Sequence, residues 1–129
     1  MSPLGEVFDA VYTKCLGATS DVYDYVKPKG DGQDRPYPYI YVGEATLIDD
    51  LTKTQVNGEI VQTVHFWALR EQRSELNDLM AQVQREIRKL DRTPNYRVTV
   101  RRVNPEIIPD NNSNQPLLHG VLDFEIYFS

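Results

Sequence analysis

Residues 36–69 constrain the fold more than any other part of the chain. They read Pro-Tyr-Pro-Tyr-Ile-Tyr-Val-Gly-Glu, then an acidic segment, then Asn-Gly-Glu-Ile-Val-Gln-Thr-Val-His-Phe-Trp-Ala-Leu. Dense aromatic and β-branched residues favour extended backbone, and Asn57-Gly58 favours the positive φ values of a type I′ turn. Residues 47–56 and 59–69 are therefore expected to pair as one long hairpin, with Asp49-Asp50 interrupting or bulging the first arm. In the second arm Ile60, Val64, Phe66 and Ala68 share one face with a single polar exception, Gln62. Glu59, Val61, Thr63, His65 and Trp67 occupy the other face. The run 39–42 is expected to be strand beside the run after Asn57-Gly58, starting at an edge or entry position because Pro36 and Pro38 cannot donate to a ladder.

Two helices frame these strands. Pro3 after Ser2 is a start signal, and Leu4, Phe8, Val11 and Cys15 then recur along one helical face until Gly17 supplies a stop. Over 74–90, with Ser74 as N-cap, Leu76, Met80, Val83, Ile87 and Leu90 draw a straight apolar stripe, and Gln82, Arg85, Glu86 and Lys89 form the polar face. Further strands are expected over 21–26, 96–103 and 117–128. The last alternates cleanly, with Leu118, Leu122, Phe124, Ile126 and Phe128 opposite His119, Asp123 and Glu125. Residues 29–35 and 104–116 read as exposed loops, the second holding three prolines and the run Asp-Asn-Asn-Ser-Asn.

The pattern gives an α+β fold in the order α-β-β-β-α-β-β, with a mainly antiparallel sheet and both helices packed on one face. A chain of 129 residues fits one domain, 1–129. The other sheet face keeps apolar residues such as Val61 and Trp67, which suggests a partner subunit. No apolar run approaches a membrane span, no basic and apolar leader opens the chain, and the single Cys15 cannot form an internal bridge, so a reducing, soluble setting is expected. Nineteen acids against fourteen bases give a net charge of −5, which opposes tight nucleic-acid binding.

Chemistry-bearing residues are sparse. His65 and His119 are the only histidines, and neither has a neighbouring nucleophile or orienting acid in sequence, so surface or interface roles are expected for both. Glu44, Asp49 and Asp50 form the densest acidic cluster but lack the turn geometry of a calcium loop. Cys15, on the apolar stripe, is expected to be an inert small hydrophobe. Arg70, Arg73, Arg97, Arg101 and Arg102 accompany no Gly-rich phosphate loop and suit charge pairing between subunits. Tyr37, Tyr39 and Tyr41 alternate on one side of a strand, suiting core packing or an interface equally. No cofactor or metal is expected, and no enzymatic activity.

Several of these segments, in this order, resemble the tail completion proteins of long-tailed bacteriophages, also called tail-to-head joining or tail terminator proteins. The resemblance rests on Pro38-Tyr39-Ile40-Tyr41-Val42-Gly43 with the acidic segment after it, on Gly58 leading to Val64-His65-Phe66-Trp67, on the long helix that follows, and on His119-Gly120-Val121-Leu122-Asp123-Phe124. It covers most of the chain. The residues after Trp67, Ala-Leu-Arg-Glu-Gln-Arg, depart from the small polar residues expected there, and the 104–116 loop is long.

The resemblance implies a small α+β subunit that assembles with itself as a ring, usually hexameric. Such a ring sits at the head-proximal end of the virion tail, capping the tail tube protein and docking to the head-completion or connector protein after assembly in the bacterial cytoplasm. Contacts are expected from the hairpin 45–69 and the loops 27–35 and 104–116, with Tyr39, Tyr41, Glu44, Asp49, Asp50, Trp67, Arg101 and Ile107 as candidate interface residues. Two other readings compete. One is a small hydrolase using His65, His119 and an acid such as Asp123, which requires them on one face and within reach. The other is a cytoplasmic adaptor that binds peptide by β-augmentation along the Tyr39 edge.

Overall fold

A computed structural model describes residues 2–24, 36–52, 55–111 and 115–129. Helix α1 spans Pro3–Leu16, capped by Ser2, whose hydroxyl accepts from the Gly5 N–H at 3.1 Å. Strands β1 (Val22–Tyr23), β2 (Tyr39–Thr52) and β3 (Gln55–Leu69) follow. A 3-10 turn, Arg70–Gln72, leads into helix α2 (Arg73–Arg88), and β4 (Val98–Asp110) and β5 (Leu117–Phe128) close the chain. The fold is α+β with the expected element order. Its five-stranded sheet runs β1-β2-β3-β5-β4 and is mixed: β1 lies parallel to β2, and every other pairing is antiparallel.

Both helices pack on one face of the sheet. Leu76, Met80, Val83 and Ile87 of α2 and Val7, Val11 and Cys15 of α1 meet Ile40, Val42, Ile60, Val64, Phe66, Leu122, Phe124, Ile126 and Phe128 in one core. Each fully buried aliphatic or aromatic side chain contributes about 1.5–3 kcal/mol, so the stripes read from the sequence hold the two layers together. The face assignments for β3 and β5 hold residue by residue. The Cys15 thiol is buried in this core and its pKa is pushed up to about 12 by burial.

Several local expectations are corrected. Asn57-Gly58 is not a turn: Gly58 pairs with Asp49 and Asn57 with Asp50, and the ladder continues to Thr52↔Gln55. Gly58 instead permits close approach, since a Cβ there would run into the Ile48 carbonyl oxygen and press the Phe128 ring at 3.2 Å. The expected strand over 39–42 and the first hairpin arm are one continuous β2. Asp49 and Asp50 sit in regular pairing, and the irregularity falls between Val42 and Ala45, where Gly43 and Glu44 oppose the single residue Thr63.

The 104–116 loop is mostly strand. Residues 104–110 continue β4 along β5, with Pro105↔Leu122 and Pro109↔Leu118 in register. β4 is an edge strand, where proline can be accommodated without breaking a two-sided ladder. Helix α2 begins at Arg73 rather than at a Ser74 cap. The turn ahead of it is tied by Gln72, whose side chain accepts from the Leu69 N–H and donates to the Tyr37 carbonyl. The far end of the 21–26 strand and the 27–35 loop lie outside the described residues.

One buried charge went unread in the sequence. Glu6, on the core side of α1, accepts from the Asn95 N–H at 2.8 Å, from Asn95 Nδ2 at 2.9 Å and from the Thr93 hydroxyl at 2.9 Å. The carboxylate thus staples the Thr93-Pro94-Asn95 turn after α2 onto α1.

Candidate functional site

The sheet face opposite the helices carries the remaining chemistry. Because strand side chains alternate, the residues out of phase with the core emerge here together: Tyr39 and Tyr41 from β2, Val61, Thr63, His65 and Trp67 from β3, and His119, Val121, Asp123, Glu125 and Tyr127 from β5. The register sets Tyr39 opposite Trp67, Tyr41 opposite His65 and Trp67 opposite His119. The result is a run of rings across three strands. Trp67 stacks on His119 with centroids 4.1 Å apart and planes 4° apart, His65 lies 5.0 Å from His119, and Tyr41 lies 5.5 Å from His65.

The bulge in β2 gives this array its charge. Strict alternation from Val42 would direct residue 44 into the core, but the extra residue leaves Glu44 on the outer face and returns Ala45 to the core phase opposite Gln62. Gln62 explains itself here. It is fully buried, and its Nε2 lies 3.2 Å from the Gly43 and Glu44 carbonyl oxygens and 3.1 Å from that of Thr63, so its amide caps the carbonyls that the bulge frees. Its Oε1 has no protein partner. The polar exception in an apolar face is thus the residue that holds the bulge.

With the bulge in place, Glu44 Oε1 accepts a hydrogen bond from His65 Nε2 at 2.6 Å, and His65 Nδ1 lies 2.7 Å from His119 Nε2. The partners assign the tautomers: a carboxylate only accepts, so His65 carries its proton on Nε2 and presents the Nδ1 lone pair, to which His119 Nε2–H donates. The bond from His65 holds the Glu44 carboxyl below its usual range, although its side chain is 69% exposed. Burial, and then the His65 ring, lower the pKa of His119, against the opposing pull of Asp110 and Glu44. Asp123 is engaged elsewhere, accepting from the Thr63 hydroxyl at 2.6 Å.

The candidate residues divide. Tyr39, Tyr41, Glu44, Trp67 and Arg101 share the outer face. Tyr39 is only 7% exposed, packed beside Tyr23 and Tyr37, while Arg101 lies over the Tyr127 ring at 4.3 Å at a second bulge, between Val100 and Arg102. Ile107 does not join them. It pairs with Gly120, packs against the core, and lines a cavity with Arg73, Asn77, Met80, Gln84 and Pro105 on the helix side. Asp49 and Asp50 stand at ladder positions near the hairpin end. The Tyr39 edge proposed for peptide capture is covered at Ile40 and Tyr41, which pair with β1.

The sequence did not bring the two histidines together. Residues 54 apart meet only because β3 and β5 pair in this register. Among the described residues no group of three or more His, Cys, Asp and Glu side chains converges as a metal cage, and no helix is long and apolar enough to cross a membrane.

No protein-family model and no curated protein sequence matches the chain. A solved structure does. A chain of the "Virion of native gene transfer agent (GTA) particle" superimposes with a TM-score of 0.65 over 96% of both chains, at 15% sequence identity. At that identity the likeness shows the fold alone.

Proposed function

We propose that this chain is a structural subunit of a phage-like virion, a tail completion protein that forms a ring on the head-proximal end of the tail tube and joins it to the head connector. The observation that carries this reading is the end-to-end match in fold to a chain of a gene transfer agent virion, which agrees with the segment-by-segment resemblance to tail completion proteins. The outer sheet face supports it. Tyr41, Val61, Trp67, Val121 and Tyr127 leave aromatic and apolar area partly exposed on this face, alongside Ile48, which is 56% exposed. Aromatic surface of this kind is enriched at the centres of protein interfaces. A net charge of −5 suits a ring that lets DNA pass without holding it.

Electron microscopy of the purified protein, alone and mixed with tail tube protein, tests the reading. Rings, free or seated on tube ends, are expected. A strict monomer that also fails to bind tube ends refutes it.

The hydrolase reading has one observation in its favour: His65 and His119 lie on one face and within hydrogen-bond reach, with Glu44 rather than Asp123 as the acid. We read the cluster as non-catalytic, since the neighbouring Thr63 hydroxyl donates to Asp123 and not to either imidazole. Equal hydrolysis of a p-nitrophenyl ester by wild type and His119→Asn is expected. A rate lost in the variant would revive the enzyme.

A further inference from the structure

We infer that His65 and His119 form a binding site for one borderline divalent metal ion of the Zn2+, Ni2+ or Cu2+ class. Two imidazole nitrogens from different strands already face each other, His65 Nδ1 from β3 and His119 Nε2 from β5, 2.7 Å apart. Tetrahedral coordination at metal–nitrogen distances of about 2.0–2.1 Å requires them about 3.3 Å apart, so binding moves the nitrogens apart and turns both rings until their lone pairs converge on the ion. Imidazole donors select this class of ion over calcium or magnesium, which require oxygen cages.

The surroundings fit ligation as well as a hydrogen bond. Glu44 accepts from His65 Nε2–H at 2.6 Å, which leaves the Nδ1 lone pair facing His119, the outer carboxylate arrangement that accompanies metal-bound histidines. Burial, and then the His65 ring, lower the pKa of His119, which favours its neutral, ligating form. On binding, the ion takes the lone pairs of both nitrogens, and the His119 ring changes tautomer, losing the Nε2 proton to solvent and taking one from solvent at Nδ1, so that it stays neutral. No further His, Cys, Asp or Glu among the described residues completes a cage. The remaining positions therefore fall to water or to a group from an adjoining subunit. The charged and titratable groups facing the pair are Glu44 and Tyr41 from β2 and Asp110 from β4, and both acids favour a cation there.

Trp67 reports on the site directly. It is the chain's single tryptophan and stacks 4.1 Å from His119, so a bound paramagnetic ion quenches it. The experiment titrates the full chain with Ni2+ while following Trp67 fluorescence, then adds Zn2+ as a competitor. Saturable one-to-one quenching, relieved by Zn2+, is expected. His119→Asn and His65→Asn should each weaken it at least tenfold with far-UV circular dichroism unchanged. Glu44→Gln, at an exposed position, should weaken binding by roughly 10-fold or more. Weakening of wild-type binding is also expected as pH falls through the histidine range, because protons compete for both nitrogens. If a variant loses its fold, Zn2+-induced shifts of the His65 and His119 ring resonances in the wild type decide. Wild-type quenching that saturates no better than that of Glu44→Gln and His119→Asn, or ring resonances unmoved by Zn2+, overturns the inference. It stands independently of any role in a virion.

Discussion

Replacing Gln62 with Met tests whether one buried amide holds the bulge that shapes the outer face. The Gln62 side chain carries two amide protons and lies 3.1–3.2 Å from three carbonyl oxygens, so at most two good hydrogen bonds are lost on substitution. Each is worth about 1 kcal/mol net, and about 2 if the carbonyl left behind stays dry, so the gross cost is about 2–4 kcal/mol. The unpartnered Oε1 works the other way: removing a buried acceptor without a partner returns about 1 kcal/mol. Methionine keeps the volume, so little cavity term is added. The net expectation is destabilisation by about 1–3 kcal/mol, which at about 4 °C per kcal/mol lowers Tm by roughly 4–12 °C. Urea unfolding followed at Trp67 should show a lower midpoint with an unchanged slope. Gln62→Glu should cost more at neutral pH, since a carboxylate facing carbonyl oxygens cannot donate, and should recover part of that loss once acid protonates it. Gln62→Met as stable as wild type would show that the amide is a buried burden and that the bulge is held by other forces.

Gly58→Ala should destabilise by about 1–3 kcal/mol in the same urea assay, because its Cβ meets the Ile48 carbonyl and the Phe128 ring, whereas an unaltered midpoint would contradict the strand placement. Gly120→Val should cost a similar amount, since a Cβ there lies 2.7 Å from Met80 Sδ and 3.2 Å from Phe66 Cβ; Met80→Ala should absorb part of it, so the double variant falls short of the summed losses. The Glu6 pKa is lowered in the fold, chiefly by the Asn95 side chain, so its stabilisation is fully present above the unfolded carboxylate value and is lost as pH falls through the folded one. Glu6→Gln should therefore lower Tm at pH 7 and flatten its decline below about pH 4.5, the reference range for glutamate. Parallel Tm–pH curves for the two proteins would refute that role.

What could be read along the chain was periodicity. The α2 stripe through Leu76, Met80, Val83 and Ile87, the α1 stripe through Val11 and Cys15, and the alternation of β3 and β5 all name a buried face locally, and each is buried as expected. Where local preference and pairing disagreed, pairing prevailed. Asn57-Gly58 has the chemistry of a turn, yet extended pairing with Asp49 and Asp50 outweighs that preference. The prolines of residues 104–116 suggested a loop because proline breaks ladders, but at an edge only one side of the strand needs hydrogen bonds. Asp49 and Asp50 drew the expected bulge to themselves, while the real one sits at Gly43-Glu44, where Gln62 can reach it.

The sequence by itself determined the α+β class, the order of elements, the core face of each main element and the poverty of local catalytic motifs, because these depend on residue type repeated at fixed spacing. Only the tertiary structure decided the candidate site. His65 and His119 become partners through the β3–β5 register, Glu44 reaches them through a bulge that shifts the alternation of β2, and Glu6 finds its partners 87 and 89 residues away. Such contacts depend on which residue of one strand stands opposite which residue of another, and a shift of one position would exchange the inward and outward faces. That choice is made by the packing of the whole sheet against its helices.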